Sequence, residues 1–171
     1  MDEPAQRDEY EPALRVIGRH LDAEPAYHIS LLETVDGFTV RSHPSGHRPD
    51  GISIVYSWNR LHDLVIYQMA GRGLRRRRSR HSGMWANFPN GHEDFFRALG
   101  HELDAQQASS LAVDEVPEGV AVSYLRPREA ESLLFEKVHR VMRREDIEEA
   151  LYAARGRRGQ SVSSTTNNGQ V

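Results

Sequence analysis

Residues in the first half of the chain recur in the second half at a constant spacing of 82 positions, and no other feature constrains the fold so strongly. Glu11, Arg15, Gly18, Leu21, Asp22 and Ala23 fall on Glu93, Arg97, Gly100, Leu103, Asp104 and Ala105. Ala26, Glu33, Gly37 and Val40 then fall on Ala108, Glu115, Gly119 and Val122, with no gap. Apolar character is kept where identity is not, as in Leu14 with Phe96, Ile17 with Leu99 and Leu31 with Val113. One inserted residue near Tyr124 moves the spacing to 83, which sets Pro44, Val55, Arg60 and Asp63 against Pro127, Val138, Arg143 and Asp146. Self-similarity at a fixed period is the mark of a chain built from repeated units, each hiding its apolar surface against the other.

Each unit reads in the same way. Ala13, Leu14, Ile17 and Leu21 recur at helical spacing, as do Phe95, Phe96, Leu99 and Leu103, so each unit opens with an amphipathic helix. Two alternating runs flank an Asp-Gly or Glu-Gly turn, at Gly37 and at Gly119, and predict a β-hairpin in each half. A loop containing Pro44 or Pro127 leads to a third strand near Ile52–Ser57 and near Leu134–Arg140. Closing helices are predicted from about Trp58 to Ala70 and from about Arg143 to Ala154. The expected fold class is therefore α+β: a tandem duplication of an α-β-β-β-α unit, pseudo-twofold, with antiparallel sheets carrying helices on one face. Those sheets either join into one six-stranded surface or pack through the first closing helix.

The expected organisation is a flexible N-terminus over 1–9, a first unit over 10–74, a basic and aromatic linker over 75–91, a second unit over 92–156 and a disordered polar tail over 157–171. Gly159 onward is Ser, Thr, Asn, Gln and Gly with scarcely any apolar residue, which cannot offset its ordering entropy. The first closing helix carries Leu61, Leu64, Val65, Ile66, Tyr67 and Met69 on all sides. A helix apolar all round asks for cover on more than one side, so Leu61, Val65, Ile66 and Met69 are expected at the junction of the units or in a homodimer interface.

Composition narrows the chemistry. With Lys+Arg 22 against Asp+Glu 25 the formal charge is −3, so affinity for polyanions must be local. The chain has no cysteine, which removes disulfides, thiolate metal sites and cysteine nucleophiles and fits a cytoplasmic setting. No stretch approaches the roughly 20 apolar residues of a membrane span, and no membrane association is expected.

The most unusual local feature is basic. Arg72, Arg75, Arg76, Arg77, Arg78 and Arg80 follow the first closing helix, and Arg155, Arg157 and Arg158 follow the second, forming a candidate polyanion or nucleic-acid surface with salt-sensitive affinity. Cations at a helix C-terminus also simply complement its dipole. Trp85, Phe88 and Tyr67 offer stacking platforms or core plugs. Nine histidines raise a metal reading, centred on His43 and His47, but no motif with a known metal-binding spacing is present. The paired carboxylates Asp22 with Asp104 and Glu33 with Glu115 sit at helix and strand ends, where bonds to backbone amides explain them more simply than catalysis. The reading that follows is a non-enzymatic cytoplasmic binding or protein-interaction module, with a protein partner or a second copy and no cofactor. Nucleic-acid binding through the Arg clusters is its alternative, and a small metal-assisted hydrolase using the loop histidines comes third.

Overall fold

Alternation along the strands sends Ile29, Leu31, Phe38, Val40, Leu111, Val113, Val120 and Val122 to one side, where all are buried, and their neighbours to the other. Among the described residues the helices lie on that buried side. The computed structural model describes residues 9–23, 26–44, 51–69, 83–130 and 133–163, the side chains of 26, 27, 44 and 158–163 excepted. In chain order the elements are α1 (Tyr10–Ala23), β1 (Ala26–Thr34), β2 (Gly37–Pro44), β3 (Ile52–Ser57) and α2 (Trp58–Met69), then a 3-10 turn (Gly83–Trp85), α3 (Gly91–Ala105), β4 (Ser109–Val116), β5 (Gly119–Pro127), β6 (Phe135–Arg143) and α4 (Arg144–Ser163). The protein is α+β. Its six strands form one antiparallel sheet in the order β3-β2-β1-β4-β5-β6. Among the described residues no helix is long and apolar enough to cross a membrane.

The two hairpins share their local irregularities. His28 and Ser110 both adopt left-handed backbone, at φ 51° and 57°, beside bulges in β1 and β4. Gly37 and Gly119 enter β2 and β5 at φ 145° and 149°, and a Cβ there would lie 1.9 Å and 2.0 Å from the carbonyl oxygens of Tyr56 and Met142. Only glycine meets both demands.

The third strands follow a different register from the one the sequence predicts. Phe38 pairs with Tyr56 and Gly37 with Ser57, whereas Val120 pairs with Met142 and Gly119 with Arg143. Positions 56 and 57 thus correspond to 142 and 143, a spacing of 86 and not 83. The closing helices inherit this spacing, since the Trp58 amide donates to the Asp36 carbonyl and the Arg144 amide to the Glu118 carbonyl, both at 2.9 Å. Matches such as Arg60 with Arg143 are therefore coincidences of composition. The extra length lies in the strands, since seven residues separate β2 from β3 and β5 from β6 alike, while β5 exceeds β2 by one residue and β6 exceeds β3 by three.

The halves meet in two places. In the sheet, β1 pairs antiparallel with β4, Leu31 opposite Val113. Above it α1 packs on α3, so closely that a Cβ on Gly18 would lie 2.7 Å from the Glu93 Cα and one on Gly100 2.5 Å from the Glu11 Cα. The helices run antiparallel, and each ends on an aspartate that caps the other. Asp22 accepts the His92 and Glu93 amides at 3.1 and 2.9 Å; Asp104 accepts the Tyr10 and Glu11 amides at 2.7 and 2.9 Å. An acidic residue in its own helix's last turn opposes the dipole, but here it answers the positive end and orphan amides of its neighbour. Each such cap stabilises by about 1–2 kcal/mol. Glutamates repeat the exchange in the sheet: Glu33 accepts the Leu111 amide at 2.8 Å and Glu115 the Ile29 amide at 3.1 Å.

With α1 and α3 forming the junction, α2 does not lie there. It packs on α1 and β3 of its own half. Leu61 is fully buried and Val65 half-buried, while Ile66 and Met69 are 54% and 78% exposed. Apolar residues all round this helix leave an exposed flank, so of the two places expected for them the junction is excluded and a homodimer interface is not. Trp85 and Phe88, expected in a linker, are buried in the core, with Trp85 stacked on His92 at a centroid distance of 4.3 Å. The closing helix of the second half continues to Ser163, past the expected end at Ala154 and into the stretch expected to be a disordered tail.

Candidate functional site

Two helical stripes face each other across the second half. On α3 the stripe is Asp94, Arg97, Ala98, His101 and Glu102; on α4 it is Ile147, Ala150, Leu151, Ala154 and Arg157. Both follow the three-and-four spacing that puts side chains on one side of a helix. Between them lies an open groove of about 530 Å³, floored by Phe95, Leu99 and Met142. That volume falls within the range of sites that take small ligands or a few side chains of a partner.

The groove exists because three side chains are small. By the register above, Ala98, Ala150 and Ala154 correspond to Val16, Leu64 and Gln68. In the first half the larger residues are engaged: Val16 is buried, Leu64 packs against the core, and the Gln68 carbonyl accepts from the Arg19 guanidinium at 2.9 Å. Alanines in the second half leave the α3–α4 angle unfilled. Charged groups of both signs line the rim, among them Asp94, Arg97, Glu102 and Arg157. The Arg140 guanidinium donates to Glu102 at 2.5 Å, and Arg97 lies 3.7 Å from Glu11, which also pairs with Arg15. An apolar floor thus lies beneath a charged rim.

Residues singled out in the sequence distribute unevenly around this site. Arg72, Arg75, Arg76, Arg77, Arg78 and Arg80 lie outside the described residues, as does His47. Arg155 and Arg157 lie within α4 and not beyond its end; Arg157 lines the groove, Arg155 is exposed, and the Arg158 side chain is outside the description. His43 sits on β2 with its ring 6.0 Å from that of His28. Among the described residues no group of three or more metal donors converges. Asp22, Asp104, Glu33 and Glu115 are committed to backbone amides. Asp22 also accepts from the His92 Nδ1–H at 2.8 Å, and Glu33 from the Tyr10 hydroxyl at 2.5 Å. The groove itself escaped the sequence reading, because two of its three alanines, Ala150 and Ala154, meet Leu64 and Gln68 only once the spacing of 86 is known.

No protein family model, curated protein or solved structure matches the chain. Function must be argued from the groove and the surfaces around it.

Proposed function

We propose that the chain is a non-enzymatic protein-interaction module, built from two tandem copies of one αβββα unit about a pseudo-twofold axis, whose α3–α4 groove receives a partner. The duplication is supported by the identities spaced 82 apart together with the reciprocal Asp22 and Asp104 caps at the same spacing. One observation carries the binding role: the pair of helices that bears Val16, Leu64 and Gln68 in one copy bears Ala98, Ala150 and Ala154 in the other, where an open groove lies between them. The partner supplies what the second copy lacks, namely aliphatic side chains of Val or Leu size presented at helical spacing. A groove between helices, floored with Leu, Phe and Met, suits an amphipathic helical segment better than a polar small molecule.

Restoring the first copy's residues tests this. Ala98→Val, Ala150→Leu and Ala154→Gln together are expected to stabilise the chain by about 1–2 kcal/mol, as filling a void does, and to abolish binding of amphipathic peptides selected on the unmodified protein. Thermal melts and peptide titrations read the two effects separately. Full retention of peptide affinity in the filled variant would remove the groove from the account.

A further inference from the structure

The sheet face turned away from the helices differs in charge from the rest of the chain. Register and alternation place Arg41, Lys137 and Arg143 on it, on β2 and β6. Among the described strand residues of that face there is one carboxylate, Asp114, which accepts from the Ser30 hydroxyl at 2.7 Å. Three cations against one anion, on a chain of formal charge −3, is a segregation of positive charge onto one surface. Across the middle of the face run the small residues Ser30, Thr39, Ala112, Ala121 and Ser123, with the bulkier Leu32, 53% exposed, between Thr39 and Ala112, and the Thr39 and Ser123 hydroxyls add phosphate-directed donors.

Spacing identifies the kind of anion. Four inter-strand steps separate Arg41 from β6, about 19 Å, and six residues separate Lys137 from Arg143, about 20 Å. Cations so far apart cannot share one phosphate group; they suit an extended chain of them. Phe135, half-exposed on β6, and His139, two strand positions beyond Lys137, present rings beside the cations on which unstacked bases can lie. A single strand can follow a twisted sheet, whereas a rigid duplex touches it along one line. We propose that this open sheet face binds single-stranded nucleic acid, on the side of the molecule opposite the α3–α4 groove and independently of it.

Fluorescence anisotropy with labelled oligo(U) and oligo(dT) of about 15 nucleotides, long enough to span such a face, tests the proposal on the full chain. Arg41→Ser, Lys137→Ser and Arg143→Ser together are expected to weaken binding at least roughly tenfold and to lower the salt slope by about 2, at about 0.7 per phosphate contact. Asp114→Asn is expected to tighten binding several-fold, a gain that damage to the fold would not produce. Three results overturn the proposal: no oligonucleotide binding at low salt, unchanged affinity in the triple variant, or binding lost only when Arg75 to Arg78 become Ser. Binding to phosphatidylserine vesicles without binding to either oligonucleotide would overturn it equally and assign the charge to a lipid surface.

Discussion

A chain carrying Gly18→Val and Gly100→Val together is expected to be unfolded at 25 °C. At both positions the first side-chain carbon would collide with backbone of the facing helix, 2.7 Å from the Glu93 Cα and 2.5 Å from the Glu11 Cα. Flexible side chains can yield to such an intrusion, but helix backbone cannot, so α1 and α3 must separate. Separation breaks both pairs of aspartate caps and opens the core beneath, where Leu14, Ile17, Phe96 and Leu103 are buried. Overpacking costs about 1–3 kcal/mol at a tolerant site and more where backbone must move. Two such insertions at one contact approach the whole stability of an ordinary domain, about 5–15 kcal/mol. Circular dichroism and urea titration read the result directly, and either single valine is expected to lower the urea midpoint markedly.

The second large effect separates the two caps. Asp22→Ala is expected to cost about 3–4 kcal/mol, while Asp104→Ala is expected to cost about 1–2 kcal/mol. Both remove a carboxylate from two helix N-terminal amides. Asp22 in addition holds the Nδ1 of His92, an imidazole with no exposed surface, stacked on Trp85. Alanine there leaves a buried polar ring and two amides without their acceptor, and the penalty for such groups exceeds the value of an ordinary bond. Tyr10, at the corresponding place in the first half, sends its hydroxyl to Glu33 and does not rely on Asp104 for its side chain. Denaturant titrations of the two variants side by side check the difference, and equal losses would mean that the imidazole contributes nothing.

Much of this architecture was legible in the sequence, and particular residues show why the rest was not. The opening helices and hairpins follow from clean periodicities, and the carboxylates were read as partners of backbone amides. What alternation along one chain does not reveal is which amides: Asp22 reaches across to the start of α3. The third strand of the second half was misaligned because β6 is an edge strand whose helix-side positions include Glu136 and Arg140, which bond to Arg126 and Glu102 at the rim of the helical layer. Such a strand shows no simple apolar alternation to fix its register. The end of α4 was misjudged because Gly156 and Gly159 weaken a helix, yet the helix runs through both. The α2 flank was expected at the junction or in a homodimer interface, and only the junction is excluded, since apolar content on every side of a helix reports what it exposes as readily as what it buries. As for the groove, its alanines look like ordinary helix residues until they are set beside Val16, Leu64 and Gln68.

The reciprocal capping of α1 and α3 is most directly tested by amide hydrogen exchange in the native protein. Amides in the first turn of a helix have no intrahelical acceptor and ordinarily exchange fast. Here Tyr10, Glu11, His92 and Glu93 are expected to be protected, and Asp22→Ala is expected to release His92 and Glu93 in the other half of the chain while Tyr10 and Glu11 stay slow. Fast exchange at all four amides in the unmodified protein would contradict the exchange of caps, and with it the way the two halves are held together.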